Sequence, residues 1–220
     1  MILPIGNAIS PALLQEITSK SQQELEFADG RKTAGWHARQ VKNNRQASNS
    51  PALNAVFEQV SKALLAHELV QAAARPRHIV SLILSRYGKG MSYGSHVDDA
   101  MMNGARTDLS FTLFLNEPAE YEGGELIIDD PAAERPFKLS AGSMLLYPSN
   151  TLHRVKEVSS GERLVIVGWI RSLIRDPGQR EVLFDLDRTI AAIRNKPESA
   201  ELLPLLLKSR SNLMRMWMED

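Results

Sequence analysis

His96-Val97-Asp98, followed by His153 and then by Arg163, carries the clearest chemistry in this chain. Successive side chains on a strand point to opposite faces, so residues i and i+2 share one. Read as a strand, the segment puts an imidazole and a carboxylate on the same side, where both reach one metal ion. A later strand carrying His153 completes two histidines and one carboxylate. That donor set suits iron and leaves the remaining coordination positions open. Arg163 adds a fixed positive fork for an acidic co-substrate, because a planar guanidinium makes two parallel bonds to a carboxylate.

The pair alone is a weak signal. Five histidines and ten aspartates in 220 residues give a His-x-Asp by accident in roughly one such chain of four. The later histidine, the strand-rich context and the arginine beyond it make the combination much less accidental. Asp99 is the rival carboxylate. It points to the opposite face of a regular strand and becomes the ligand only if the strand ends or bulges at Val97. Around Arg163 the alternation puts Arg163, Val165, Val167 and Trp169 on one face, lining an interior, with Leu164, Ile166 and Ile170 on the other. A buried arginine needs an anionic partner. No acid on its own strand face is spaced to serve it, so an incoming carboxylate fits; a core acid such as Asp108 or Glu125 is the structural alternative. His37, His67 and His78 have no partner at ligand spacing and read as structural or exposed. Gly88-x-Gly90 with Gly94 resembles a phosphate loop only faintly, since no helix follows it.

These residues need strands to hold them, and the sequence supplies strand texture from 77 onward. Residues 78–87 are rich in branched apolar side chains, and strand-like runs follow at 107–115, 124–129, 137–139, 143–147, 151–158 and 163–171. Turn signals separate several of them, and Gly123-Gly124 turns the chain tightly before its next strand. Many short strands at close intervals point to a sandwich or barrel, with a jelly roll as a common solution. Upstream, residues 2–5 read as a short strand, Ser10-Pro11 as a helix start, 24–46 as strand and loop, and 51–73 as one helix closed by Pro76. Downstream, Leu183, Leu186, Ile190 and Ile193 form one helical stripe, and 200–218 reads as another helix. The expected organisation is an N-terminal helical and mixed segment over 1–76, a jelly-roll core over 77–172 and a helical region over 173–220.

Composition narrows the classes further. The chain has 43% apolar and 24% charged residues, an ordinary globular mixture, and 26 basic residues balance 26 acidic ones. That balance gives no reason to expect nucleic acid or an anionic membrane as partner. Cysteine is absent, which removes thiolate metal sites, iron–sulfur clusters and disulfides together. The start lacks a basic segment followed by a long apolar one, so a signal peptide is not expected, and no apolar run approaches a membrane span. A cytoplasmic protein is the expectation. The apolar stripes of the tail need cover from the barrel or from a second subunit, and a homodimer is expected.

His-Val-Asp, the Glu-Gly-Gly-Glu-Leu run at 122–126, the Leu-Tyr-Pro-Ser approach to His153 and Arg163 resemble the Fe(II)/2-oxoglutarate-dependent dioxygenases of prolyl-hydroxylase type. More narrowly, the chain is similar to the bacterial PKHD-type hydroxylases, the iron-uptake factor PiuC group. The resemblance covers the core, and the tail after 176 is similar to the family's small C-terminal region. It implies a mainly β fold with flanking helices, built on a double-stranded β-helix. It also implies Fe(II), 2-oxoglutarate and molecular oxygen, with L-ascorbate keeping the iron reduced. Carried over, His96, Asp98 and His153 are the iron ligands and Arg163 binds the co-substrate. Tyr87 adds a hydroxyl to the same carboxylate, unless it is a core aromatic satisfied locally, and Tyr93 stands near the substrate. The implied reaction hydroxylates a small-molecule or peptide substrate while 2-oxoglutarate becomes succinate, in a role connected with iron uptake. Two other classes keep the same three ligands. A cupin-like metalloenzyme without 2-oxoglutarate has no use for Arg163, and a non-catalytic iron or 2-oxoglutarate sensor binds without turnover.

Overall fold

The computed structural model describes residues 1–219 apart from 34, 36, 37, 131 and 198–200, so His37 lies outside the described residues. Two antiparallel sheets face each other. The seven-stranded sheet runs Leu3–Ile5, Met144–Pro148, Leu109–Phe114, Arg163–Ser172, Pro76–Tyr87, Arg45–Ala47, Phe27–Asp29. The five-stranded sheet runs Ala133–Phe137, Leu126–Asp130, His153–Val155, Ser92–His96, Lys42–Asn43. From Pro76 to Ser172 the chain passes back and forth between the two, which is the expected double-stranded β-helix. The long pair Pro76–Tyr87 and Arg163–Ser172 forms its spine, with Arg163 opposite Tyr87 and Val167 opposite Ile83. Both strands are rich in Val, Ile and Leu because both of their faces are covered.

Helices cover the outer face of the larger sheet. In chain order the α-helices are α1 (Pro11–Gln23), α2 (Ala38–Val41), α3 (Pro51–Ala66), α4 (Glu68–Ala74), α5 (Pro177–Ile193) and α6 (Leu203–Trp217). Ser10 and Ser50 start α1 and α3 by accepting the N–H of Leu13 and Leu53 at 3.2 and 3.1 Å, each with proline in the first turn. Leu53, Val56, Val60 and Leu64 of α3 then bury a stripe against Leu84, Phe111, Leu164 and Ile166 of the sheet. The tail closes onto this side through Leu183 and Phe184 of α5, and Arg75 and Arg210 both bind Asp187.

Several element boundaries differ from the sequence expectation. The helix expected over 51–73 breaks at His67, whose backbone is extended; its ring Nδ1 accepts the N–H of Leu69 at 3.2 Å and so begins α4. The run 151–158 divides in two. His153–Val155 stays in the five-stranded sheet, whereas Val158–Gly161 pairs with Tyr121–Gly123 beside it. Gly123 and Gly124 make this bend possible with φ of 70° and 67°, and a Cβ on Gly123 would stand 2.0 Å from the Glu157 carbonyl oxygen. The strand expected at 137–139 lies earlier, at Ala133–Phe137, and the 24–46 stretch contains the short α2. No helix among the described residues is long and apolar enough to cross a membrane.

Gly168 shows how tightly the spine packs against the helical side. A Cβ there would lie 2.5 Å from Phe111 Cζ and 2.6 Å from Leu82 Cδ2. Gly168→Ala is expected to destabilise the protein by about 1–3 kcal/mol through overpacking. A lowered urea midpoint at unchanged slope checks this; an unchanged midpoint would contradict it.

Candidate active site

His96 and His153 face each other across the five-stranded sheet, in direct register. Each ring is fixed by its own backbone: His96 Nδ1 lies 2.9 Å from the Gly94 carbonyl oxygen, and His153 Nδ1 lies 2.9 Å from that of Thr151. A carbonyl only accepts, so both rings carry a proton on Nδ1, which in the neutral imidazole leaves Nε2 free to bind a metal. Both Nε2 atoms approach Asp98 Oδ1, at 4.0 and 3.9 Å, and the three donors lie within 4.8 Å of one another. Burial, with His153 adding to it, pushes His96 down to about 4. An imidazole kept neutral is the form that binds a metal.

Asp98 reaches this group by a different route from the one its spacing suggested. The strand ends at His96, so strand alternation does not turn Asp98 inward. Ser110 does: its hydroxyl donates to Asp98 Oδ2 at 2.5 Å, and Ser149 Oγ lies 2.9 Å from Ser110 Oγ. Asp99 stays exposed, its carbonyl accepting the Thr107 hydroxyl. Sequence reasoning missed Ser110; the only cue was a pair of hydroxyls, Ser110 and Thr112, alternating with apolar residues in the run Leu109–Phe114. Aromatic rings pack the histidines in place. Tyr93 stacks on His96 with centroids 3.7 Å apart, and Tyr147 meets His153 edge-on at 5.2 Å. Lys42 Nζ stands 5.0 Å above the Tyr93 ring, and burial lowers its pKa to about 8 against the opposing pull of Asp98.

A cavity of about 630 Å³ lies between the sheets, and His96, Asp98, His153, Tyr87 and Arg163 all line it. Arg163 is 1% exposed, and its Nε and Nη1 have no hydrogen-bond partner. Its guanidinium lies 5.0 Å from the Tyr87 ring centroid and 5.6 Å from that of Phe114. Gly124 leaves room for it, since a Cβ there would come within 3.1 Å of Arg163 Cδ. The acids considered as partners do not serve it. Asp108 is taken by Arg106 and by the N–H of Ser172, and among the described residues Glu125 forms no ion pair with Arg163. Burial raises the Tyr87 hydroxyl, with Arg163 and then Asn44 opposing. Val167 and Trp169 continue along the wall from Arg163, as their spacing predicted, while Val165 is buried in the apolar cluster with Tyr87, Leu126 and Tyr147 and does not reach the cavity. The lining also includes Lys42, Asn44 and Gln46, which sequence reasoning left in an undifferentiated polar stretch.

The site's donors fit a divalent metal: two imidazoles with Nε2 turned inward and one oriented carboxylate converge on one point. The guanidinium in the same cavity, with Nε and Nη1 lacking partners, fits a carboxylate-bearing co-substrate.

Comparison with known proteins gives the same direction. The chain matches the 2OG-Fe(II) oxygenase superfamily over residues 82–171 and the PKHD-type hydroxylase C-terminal domain over residues 177–219. It is 48% identical to a PKHD-type hydroxylase of Picosynechococcus sp., with 100% of both chains covered. Among solved structures, a Pseudomonas putida prolyl-4-hydroxylase superposes with a TM-score of 0.52 at 18% identity, covering 78% of this chain and 92% of that one. A prolyl hydroxylase from Trichoplax adhaerens, solved with a hypoxia inducible factor peptide fragment, superposes with a TM-score of 0.55 at 11% identity, covering 77% and 83%. At such identities these structures show a shared fold.

Two outcomes follow from the geometry. Ser110→Ala removes the group that orients Asp98 and is expected to weaken Mn(II) binding roughly 10- to 100-fold, as loss of an outer partner does elsewhere. Calorimetric titration measures it, and unchanged affinity would refute the role. The second concerns pH. With the folded-state pKa of His96 near 4 and the ordinary value at 6.5, the unfolded chain takes up this proton first. The metal-free protein therefore loses stability as pH falls from about 6.5 towards 4. His96→Gln should flatten that part of a denaturation-midpoint series, and an unaltered slope would count against it.

Proposed function

Because the chain belongs to the PKHD-type hydroxylases of the 2OG-Fe(II) oxygenase superfamily, we propose that His96, Asp98 and His153 hold its Fe(II) and that Arg163 receives 2-oxoglutarate. The observation that carries this reading is the pairing of two features in one cavity: the convergent donor triad, and a buried guanidinium with two nitrogens lacking partners. Iron bound there supplies the redox chemistry by which oxygen converts 2-oxoglutarate to succinate and carbon dioxide and leaves a hydroxyl on the substrate.

The residues of this chain bind, orient and exclude water. His96 and His153 offer unprotonated Nε2 atoms because backbone carbonyls hold the Nδ1 protons. Asp98 offers Oδ1 while Ser110 occupies Oδ2. Arg163 anchors the far carboxylate of 2-oxoglutarate, with charge-assisted bonds of about 1.5–3 kcal/mol each, and Tyr87 places its hydroxyl beside it. Leu126, Val155 and Val167 line the cavity with apolar surface that disfavours bulk water. Tyr93, stacked on His96, forms part of the wall that the substrate meets.

The wider reading has four parts. The substrate is a small molecule or peptide, peptide binding being the property named for the Trichoplax adhaerens enzyme. L-ascorbate keeps the iron reduced. The protein works in the cytoplasm in iron uptake, without nucleic acid or membrane as partner, and as a homodimer through its helical tail. Its catalytic core is 77–172, with 1–76 packed on it and 173–220 as the helical region.

The deciding experiment mixes the protein anaerobically with Fe(II) and 2-oxoglutarate and looks for a visible charge-transfer band, then admits oxygen and measures succinate. The band should vanish in His153→Ala and weaken strongly in Arg163→Ala. A band indifferent to Arg163→Ala would remove the co-substrate role. A band with no succinate, even with cell extract supplying substrate, would turn the reading towards a sensor.

A further inference from the structure

We propose that Asn44 is a further binding residue for the co-substrate, its side-chain amide donating to the same far carboxylate that Arg163 receives. This rests on the reading of Arg163 given above. The segment 42–47 leaves the five-stranded sheet at Lys42–Asn43 and enters the seven-stranded sheet at Arg45–Ala47, crossing the end of the cavity. Lys42, Asn44 and Gln46 are buried while Asn43 and Arg45 are exposed, so the inward face of this crossing is wholly polar. Register fixes where Asn44 lies. Gln46 pairs with Ser85 and Arg45 with Arg86, which brings Asn44 level with Tyr87, and Tyr87 pairs with Arg163.

The Asn44 amide is close enough to the Tyr87 hydroxyl to influence it, yet forms no hydrogen bond of good geometry. It is 4% exposed, and both its Nδ2 and its Oδ1 lack partners. A buried amide whose nearest protein partner, the Tyr87 hydroxyl, makes no well-formed bond with it leaves hydrogen-bonding capacity for an external partner. At the same level, on the strand beyond Tyr87, lies Arg163, whose Nε and Nη1 are also without partners. A carboxylate offers about four lone-pair directions, and a guanidinium fork uses only some of them. A neutral amide donor takes another without crowding a second charge into the wall.

Gly30 is the matching positioning residue. Its N–H donates to the Asn44 carbonyl oxygen at 2.9 Å, fixing the Asn44 backbone. A Cβ on Gly30 would lie 1.9 Å from Asn44 Oδ1 and 3.0 Å from Cγ. The bare Cα is therefore the space in which the amide is held.

The test is the calorimetric affinity of the Mn(II)-loaded full chain for 2-oxoglutarate, with Mn(II) affinity alone measured alongside. Asn44→Ala should weaken 2-oxoglutarate binding roughly 3- to 10-fold, the loss of one hydrogen bond. Asn44→Asp should weaken it more by facing the ligand with a second carboxylate, and Gly30→Ala should shift it in the same direction. Mn(II) affinity should stay unchanged in all three. Binding of 2-oxobutyrate, which lacks the far carboxylate, should be insensitive to Asn44→Ala. If Arg163→Ala weakens 2-oxoglutarate binding but the Asn44 variants do not, the inference is wrong and the co-substrate reading stands. If Arg163→Ala has no effect, both fall. Equal losses for 2-oxoglutarate and 2-oxobutyrate in Asn44→Ala would also overturn it. Should Asn44→Ala lose Mn(II) binding, the nearly isosteric Asn44→Asp decides.

Discussion

A positive charge held away from water governs this architecture. Arg163 is almost wholly enclosed by sheet, with aromatic rings close by and two of its nitrogens lacking a partner. Leaving a charged donor unsatisfied in such a place is among the more expensive things a fold can do. The surrounding structure therefore over-determines its position. The ten-residue strand that carries it is paired on both sides, and Gly124 yields the space its stem occupies. Even the helices contribute, since by burying the sheet's outer face they make both faces of that strand interior.

The donor triad is held by a different economy. Each histidine is oriented by a carbonyl two residues back on its own chain, so ring direction is a local property of the backbone. Asp98 has no such local support and depends on Ser110, from a strand in the opposite sheet. The site thus needs both sheets: one supplies the imidazoles and the other aims the carboxylate. Distortion between the sheets would leave the histidines paired while moving the acid.

The sequence showed the part of this site that rests on short-range periodicity. Alternation correctly placed Arg163, Val167 and Trp169 on one wall, because the strand keeps period two from Arg163 to Trp169, before its register shifts at Ile170. The same rule was applied to Asp98 where no strand exists, so the residue reached the cavity for a reason spacing could not show. Lys42, Asn44 and Gln46 were illegible for a related cause. Their strand is two or three residues long in each sheet, too short for propensity to register, and their burial is decided by partners on other strands, such as Tyr93 for Lys42 and Ser85 for Gln46. His67 is a similar case among the helices. Its backbone break depends on a ring capping the next helix, a contact that apolar periodicity does not report.

The edges of the larger sheet have a consequence for the nascent chain. Both edge strands, Leu3–Ile5 and Phe27–Asp29, come from the N-terminal segment, and short edge strands limit pairing with other molecules. Yet Leu3 pairs with Leu146, so this edge strand leaves the ribosome about 140 residues ahead of its partner. At ordinary elongation rates that is on the order of ten seconds. Pro76–Tyr87 waits likewise for Arg163–Ser172, with its branched apolar side chains already made. Until the last core strand emerges, the growing polypeptide presents adhesive β segments that nothing in its own sequence has yet covered, and its vulnerability to chaperone capture or mispairing peaks just before synthesis of the core is complete.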